Sequence, residues 1–441
     1  PVATDTTSNS ATSQDDTQDS SMENDSTETG TGDENTEETE TTTDSENIAE
    51  TETTTDDENA DGETEEVPEK SEEDGSDVNT IPTIDLSADE TVSKTAKGDL
   101  GTEDDFVAAV GDDQFDRLAS AFANAEDDST ITLLRDVELT SGIDVTNNVT
   151  LDLNGRTISG STDNWTTVPA IDYLIAVKRG GDLTINDSRG MGAITTDDIA
   201  CAVKMTVKGE DPTGNVATLT VNGGTIHGMY YGISGNGTRH NTSITVNGGT
   251  ITSGDEGTAI YHPQDGSLTI NGGTIQSPNT AIEIRSGDLT VKGGIISGGT
   301  GAPQVVGNGN GTTTSNTGIA IMQHTTDKPI NVTITGGTIS GGASIYESNP
   351  QGNQGNNAVQ VNITDAQLAG ALYSAGFGDV TVTDSTITGN ISKTGSGKMG
   401  VTGSTITGNV TTGENSGSLG FLNSMITGTA PTTGVTYTNT S

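Results

Sequence analysis

Three side chains on neighbouring repeats, Tyr261, Glu283 and Arg285, have the types and spacing that suit chemistry. Glu283 and Arg285 stand two positions apart, so on a β-strand both leave the same face of the sheet. A tyrosine ring beside charged hydrogen-bonding groups suits contact with sugar rings. Cleavage of a glycosidic bond normally needs two carboxylates at a defined separation, and the adjacent repeats align no second carboxylate with Glu283. We therefore expect either glycan contact or an exposed ion pair of small energetic worth, with catalysis as a further alternative.

The histidines and the tryptophan are the next candidates. The four histidines fall on different repeats and lack the i, i+2 or i, i+4 spacing of a metal site, so we predict no metal. His262 and His324 are retained as binding candidates. Trp165 lies in an insertion at 161–169, where it either stacks on a sugar ring or packs over a corner of the fold.

Composition excludes several classes of protein. The 441 residues carry a formal net charge of −47, which opposes binding to nucleic acid phosphates. No apolar run approaches the eighteen residues of a membrane span. Cys201 is the only cysteine, so no disulfide framework or iron–sulfur cluster is expected. It lies in an apolar segment and is predicted to be a small core residue, and we expect no cofactor.

The elements that position these residues are repeats. Segments 219–226, 244–251 and 268–275 share an alternating apolar strand, an Asn-Gly-Gly turn and a Thr-Ile pair, and weaker copies continue to residue 426. A period of about 20–25 residues is typical of a solenoid. Because the units contain short two-residue alternations and no helical periodicity, each coil must consist of strands and turns. This pattern predicts a parallel β-helix.

Stacking of such coils aligns equivalent residues. We expect Ile226, Ile251, Ile275 and Ile296 to line up inside, because parallel strands of successive coils lie about 4.8 Å apart. Asn222, Asn247 and Asn271 recur at one corner, where we predict a structural ladder of side-chain amides.

Two segments precede the solenoid. Residues 1–100 carry 32 acidic and 3 basic residues, and the first aromatic residue is Phe106. We predict a disordered acidic stalk, rich in Thr, Ser, Asp and Glu, over 1–98. The spacing of Phe115, Leu118 and Phe122 predicts an amphipathic helix within 106–125, with Asp112 and Asp113 at its start. That helix is the core of an N-terminal cap over 99–130, which covers the open end of a β-helix over 131–441.

The run from Thr130 to Gly160 carries a resemblance to a known family. Its Thr-Ile-Thr-Leu-Leu-Arg-Asp-Val and Val-Thr-Leu-Asp-Leu-Asn-Gly-Arg-Thr-Ile segments resemble the opening of right-handed parallel β-helix domains of the pectate-lyase-like superfold. The similarity is to domains of secreted or cell-surface proteins from Gram-positive bacteria and covers about residues 105–441. It implies an all-β, right-handed parallel β-helix (solenoid) with a short N-terminal capping helix, preceded here by a disordered acidic tail.

The resemblance leaves function open, because this superfold includes lyases, hydrolases, esterases and non-catalytic adhesins. We expect an extracellular bacterial protein, secreted or wall-associated and monomeric, that binds a polysaccharide or cell-surface glycan without catalysis. The alternative is a polysaccharide lyase or glycoside hydrolase, with Ca²⁺ implied for a lyase. A more remote alternative is ice binding through rows of Thr-x-Thr such as Thr250 and Thr252, which resemble the flat face of some solenoid antifreeze proteins.

Overall fold

The computed structural model describes residues 105–169, 172–206, 215–235, 242–308, 311–322, 328–349 and 359–441. The acidic stalk predicted over 1–98 and His324 lie outside these ranges. In the described part of the chain, one α-helix accompanies 38 short strands.

The N-terminal elements are β1 Ala108–Val110, β2 Asp113–Phe115, α1 Leu118–Asn124, β3 Ser129–Leu133, β4 Val137–Leu139, β5 Ile143–Val145, β6 Asn148–Asp152, β7 Thr157–Gly160, β8 Tyr173–Val177, β9 Asp182–Asn186, β10 Ala193–Thr195 and β11 Cys201–Met205. The central strands are β12 Ala217–Val221, β13 Thr225–Gly228, β14 Tyr231–Ser234, β15 Thr242–Val246, β16 Thr250–Ser253, β17 Thr258–His262, β18 Gly266–Ile270, β19 Thr274–Gln276, β20 Thr280–Ile284, β21 Gly287–Val291, β22 Ile295–Ser297, β23 Val305–Asn308, β24 Gly311–Thr314, β25 Thr317–Met322 and β26 Ile330–Ile334. The C-terminal strands are β27 Thr338–Ser348, β28 Val359–Thr364, β29 Gln367–Ser374, β30 Asp379–Thr383, β31 Thr386–Ile387, β32 Ile391–Lys393, β33 Met399–Thr402, β34 Thr405–Ile406, β35 Val410–Thr412, β36 Leu419–Leu422, β37 Met425–Ile426 and β38 Val435–Thr438.

These strands form long parallel sheets of the β-helix type. A 15-stranded sheet runs in the order β2-β1-β3-β6-β9-β12-β15-β18-β21-β26-β28-β30-β33-β36-β38, parallel from β3 onward. A 21-stranded sheet contains two adjacent strand columns. The first column includes β13, β16, β19 and β22, and the second includes β14, β17, β20 and β25. A typical coil therefore contributes one strand to the 15-stranded sheet and one to each column, whereas β27 and β29 each run through both columns.

The interior is filled by apolar residues in register. Ile226 pairs with Ile251, Ile251 with Ile275 and Ile275 with Ile296, and all four are fully buried. The predicted alignment of these isoleucines is confirmed. Full burial of one such side chain contributes about 1.5–3 kcal/mol. The row continues to Ile339 across the longest repeat, in which β23 and β24 form an antiparallel hairpin outside the ladder.

The Gly-Gly corner has a steric cause. Gly224, Gly249 and Gly273 have φ values of +80°, +83° and +85°. A Cβ on Gly249 would also lie 2.6 Å from the carbonyl oxygen of Gly224 in the preceding coil. Only glycine combines this backbone conformation with so close an approach between coils.

The N-terminal end carries the helix, which is shorter than the predicted segment. Helix α1 begins at Leu118 and buries Leu118, Ala121 and Phe122. The placement of Asp112 and Asp113 at its start is wrong: Asp112 precedes β2, and Asp113 pairs with Val110 in an antiparallel hairpin. The cause is Gly111, whose φ of +60° turns the chain between β1 and β2.

Candidate functional site

Glu283 and Arg285 form a buried ion pair at the end of β20. The Nε of Arg285 donates to Oε1 of Glu283 at 2.6 Å, and the two side chains are 4% and 1% exposed. The expectation of an exposed pair is therefore wrong. Burial opposes the charge on the guanidinium, yet Glu283 holds the pKa of Arg285 above its usual value. Because both side chains are buried, the pair presents almost no surface to a ligand.

Tyr261 lies directly beside this pair. It pairs in register with Glu283, as expected for adjacent coils. The Arg285 guanidinium lies 5.2 Å from the centre of its ring, within cation–π distance. On its other side the ring of Tyr231 stacks at 5.2 Å with an interplanar angle of 24°. Burial raises the pKa of Tyr261 to about 12 and also raises that of Tyr231, so both phenols stay neutral.

The neighbours of Glu283 bear on the catalytic alternative. Its register partners are Tyr261 in one adjacent coil and Ala320 in the other. Neither is a carboxylate, so these positions do not supply the second acid of a glycosidase. Across the described residues, no group of three or more His, Cys, Asp or Glu side chains is arranged to hold a metal ion.

A second tyrosine stack continues the same outward row. Ala320 pairs with Tyr346, and Tyr346 pairs with Tyr373. The two rings stack at 4.6 Å with an interplanar angle of 14°, and both are half-buried. Three steps of the ladder separate Tyr261 from Tyr346, a distance of about 14 Å at 4.8 Å per coil. Sequence inspection missed Tyr346 and Tyr373, although each follows an inward aliphatic residue in its strand.

His262 lies in the interior, away from the outward binding row for which it was a candidate. It is fully buried in register with Ile284. Its Nδ1–H donates to the Ser286 carbonyl at 3.2 Å, and Nε2 has no hydrogen-bond partner among the described residues. Burial lowers the pKa of His262 to about 4, which keeps the imidazole neutral near pH 7. Side chains alternate along a strand, so the inward position of Ile260 already predicts that His262 also points inward.

Trp165 packs over a corner and does not present its ring to solvent. The side chain is 9% exposed, and Nε1–H donates to the Asp172 carboxylate at 2.9 Å. The sequence left open whether Trp165 stacks on a sugar ring or packs over a corner of the fold, and its burial agrees with packing. Cys201, the predicted small core residue, is indeed a buried free thiol.

Ionisable side chains that were not among the residues predicted from the sequence also occupy the interior of later coils. Glu347 pairs in register with Ser374, and Ser374 with Lys393, and all three are buried. The Glu347 carboxylate accepts hydrogen bonds from the backbone N–H groups of Gly376 and Gly378 at 3.1 and 3.0 Å. Burial raises the pKa of Glu347 and lowers that of Lys393, because desolvation disfavours the charged form of each group.

The asparagine residues form a continuous chain of side-chain hydrogen bonds. The Nδ2 groups of Asn271, Asn247 and Asn222 each donate to the Oδ1 of the asparagine in the preceding coil, at 2.8 Å in every case. The chain begins at Asn186, one coil earlier than the residues singled out from the sequence.

Threonines align on two faces. In the first column, Thr225, Thr250 and Thr274 are in register, but Ile295 follows them. The 15-stranded sheet has the longer row, one outward threonine in each of eight successive coils: Thr130, Thr150, Thr184, Thr220, Thr245, Thr269, Thr290 and Thr333. The Thr-x-Thr pair expected at Thr250 and Thr252 lies on the first column instead.

Within the described residues, no helix is long and apolar enough to cross a membrane. Comparison with family models, with curated proteins and with solved structures found no match to this chain.

Proposed function

We propose that this chain is an extracellular surface protein of a Gram-positive bacterium, secreted or wall-associated, and that it binds a polysaccharide or cell-surface glycan without cleaving it. In this proposal the solenoid is a right-handed parallel β-helix of the pectate-lyase-like type, monomeric, and presented on the acidic stalk. The observation that carries the proposal is the outward row that includes Tyr261, Tyr346 and Tyr373. Tyr231, from the preceding coil, stacks on Tyr261, and Tyr373 stacks on Tyr346. The half-buried rings of Tyr346 and Tyr373 on a rigid sheet offer apolar contact to sugar rings. The Tyr261 ring is covered by Arg285 and Tyr231 and extends the row by its edge.

Binding is favoured over catalysis by the environment of Glu283. A general acid or nucleophile must reach the substrate, whereas Glu283 is 1% exposed and paired with Arg285. Its register partners, Tyr261 and Ala320, supply no second acid. The lyase or hydrolase alternative predicts depolymerisation of a polysaccharide and its loss in Glu283→Gln.

Affinity electrophoresis against a panel of soluble polysaccharides tests the binding proposal. Tyr346→Ala and Tyr373→Ala should each weaken binding by about fivefold, because a ring contributes roughly 1 kcal/mol to stacking. Tyr437→Ala is the matched control, since this tyrosine is 38% exposed on the other sheet. Equal retardation of all variants, or release of reducing ends or unsaturated products, contradicts the proposal.

Ice binding is a second candidate, favoured by the eight-coil threonine row of the 15-stranded sheet. Regularly spaced hydroxyl groups on a flat face, about 4.8 Å apart along the axis, present a periodic surface. Thermal hysteresis that is lost in Thr245→Val would establish this function in place of glycan binding, and absence of hysteresis eliminates it.

A further inference from the structure

A groove lies outside the tyrosine row, at the turn between the first and second strand columns. It has a volume of about 370 Å³, near the lower end for small-molecule sites. Six of its seven lining residues have polar side chains: His227, Thr252, Ser253, Gln276, Ser277 and Ser297.

Four of these residues form one outward line along the solenoid. His227 pairs with Thr252, Thr252 with Gln276, and Gln276 with Ser297. The line therefore crosses four coils and spans about 14 Å. That length accommodates several consecutive units of a linear polymer lying parallel to the axis, and Gln276, in the middle of the line, is exposed.

The polar groups at one end are held in place. Nε2–H of His227 donates to the Asp197 carboxylate at 3.0 Å, so in the neutral ring Nδ1 accepts from the Thr252 hydroxyl at 2.8 Å. Below them, Ser253 donates to the Ser277 hydroxyl at 3.0 Å, and Ser277 donates to the Gly257 carbonyl at 2.9 Å. Preorganised donors and acceptors lose little entropy when a ligand binds.

We propose that this groove is a binding subsite for a neutral polysaccharide, one whose sugars carry hydroxyl groups and no carboxylate or sulfate. The inference rests on the proposed glycan-binding function and adds the place and the ligand class. The Gln276 amide and the hydroxyl lone pairs of Thr252 and Ser297 match the donors and acceptors of sugar hydroxyls. Both nitrogens of His227 are already bonded, so the imidazole positions the Thr252 hydroxyl group.

The charge of the groove excludes acidic sugars. Recognition of a carboxylate or sulfate relies on Lys or Arg, and the groove-lining residues include neither. Asp197 places a negative charge at one end instead, and its side chain is 93% exposed. The guanidinium of Arg285 lies at the opposite end of β20 from Ser277 and Pro278 and is already paired with Glu283.

Titration calorimetry with the full chain tests the inference, using a neutral glucan, mannan and xylan against polygalacturonate and alginate. We expect a neutral polymer to bind, and Gln276→Ala and Thr252→Val each to weaken it by about fivefold or more. Thr407→Val is the matched control, because Thr407 follows inward Ile406 as Thr252 follows inward Ile251. Circular dichroism of each variant verifies that the fold is retained.

The outcomes separate the two proposals. Stronger binding of polygalacturonate or alginate overturns the neutral ligand class while leaving glycan binding intact. Neutral binding that is unchanged in both groove variants but lost in Tyr346→Ala overturns the groove and supports the tyrosine row. Failure of every polymer to bind overturns the proposed function itself, and the groove inference with it.

Discussion

His262 and Ile284 are register partners in the interior of the solenoid: the imidazole occupies in one coil the place that an isoleucine side chain occupies in the next. Both are buried, and the histidine satisfies Nδ1–H through the Ser286 carbonyl. A titratable ring in an apolar row makes the stability of the protein depend on pH.

Burial lowers the pKa of His262 to about 4, from a usual value of 6.5. Between these values the unfolded chain binds more protons than the folded one, so the stability linked to His262 rises with pH across this window and is lost as pH falls. At pH 4.5 the histidine should cost about 2 kcal/mol relative to pH 7. Urea unfolding of the wild type and of His262→Leu at pH 4.5 and pH 7 measures this cost. The unfolding free energy should fall further between pH 7 and pH 4.5 in the wild type than in the variant. Parallel pH profiles for the two proteins would show that His262 does not titrate in this range.

Removing one partner of the Glu283–Arg285 pair should be more harmful than removing both. Glu283→Gln or Arg285→Met leaves a charge in a buried site, and we expect each to cost about 3–5 kcal/mol of unfolding free energy. The double variant should recover part of that loss. The partly exposed pair between Lys178 and Asp144, at 3.2 Å, is the control, with an expected effect of about 0–1 kcal/mol. Strictly additive losses in a double-mutant cycle would disprove the coupling.

Gly249→Ala tests the close approach between coils. The variant combines a left-handed backbone conformation with a Cβ only 2.6 Å from the Gly224 oxygen, so we expect a loss of at least about 1–3 kcal/mol. Gly400→Ala provides the comparison, because a Cβ at that position meets nothing within 4 Å. Thermal unfolding should show a lower melting temperature for the first variant alone. A similar change in melting temperature in both variants would mean that the Gly-Gly corner accommodates a Cβ without strain.

Asn247→Ala interrupts the amide chain in its middle. It leaves the Oδ1 of Asn222 without its donor and the Nδ2 of Asn271 without its acceptor. Because these groups are exposed and can bind water, the expected cost is about 1 kcal/mol. Lys292→Ala, at the equivalent corner of a later coil, should be close to neutral. A stability equal to that of the wild type would show that the ladder contributes nothing measurable.

Residue alternation predicted the parts of the fold that repeat. The pairing of Ile226, Ile251 and Ile275 follows from the period alone, because each coil must bury the same position. Lys393 and Glu347 escaped prediction although alternation from Ile391 and Ile345 places them inside, because charged residues are almost never buried without specific partners. Those partners, such as the Gly376 and Gly378 amides for Glu347, belong to a different coil and are invisible in the local sequence.

The candidate site was predictable in placement but not in exposure. Two-residue alternation correctly put Glu283 beside Tyr261 on the second column. The burial of Glu283 and Arg285 depends on groups that the local pattern does not specify, including the Tyr261 ring, which is itself covered by Tyr231.

The hairpin of β23 and β24 is inserted in one coil, yet Ile296 and Ile339 on either side of it remain paired. Each coil contacts mainly its two neighbours, so an added segment at a turn leaves the stacking energy of the rest unchanged. Natural selection can therefore lengthen, shorten or replace such a segment in a single step, and the surface of this protein is free to diversify while its interior stays the same.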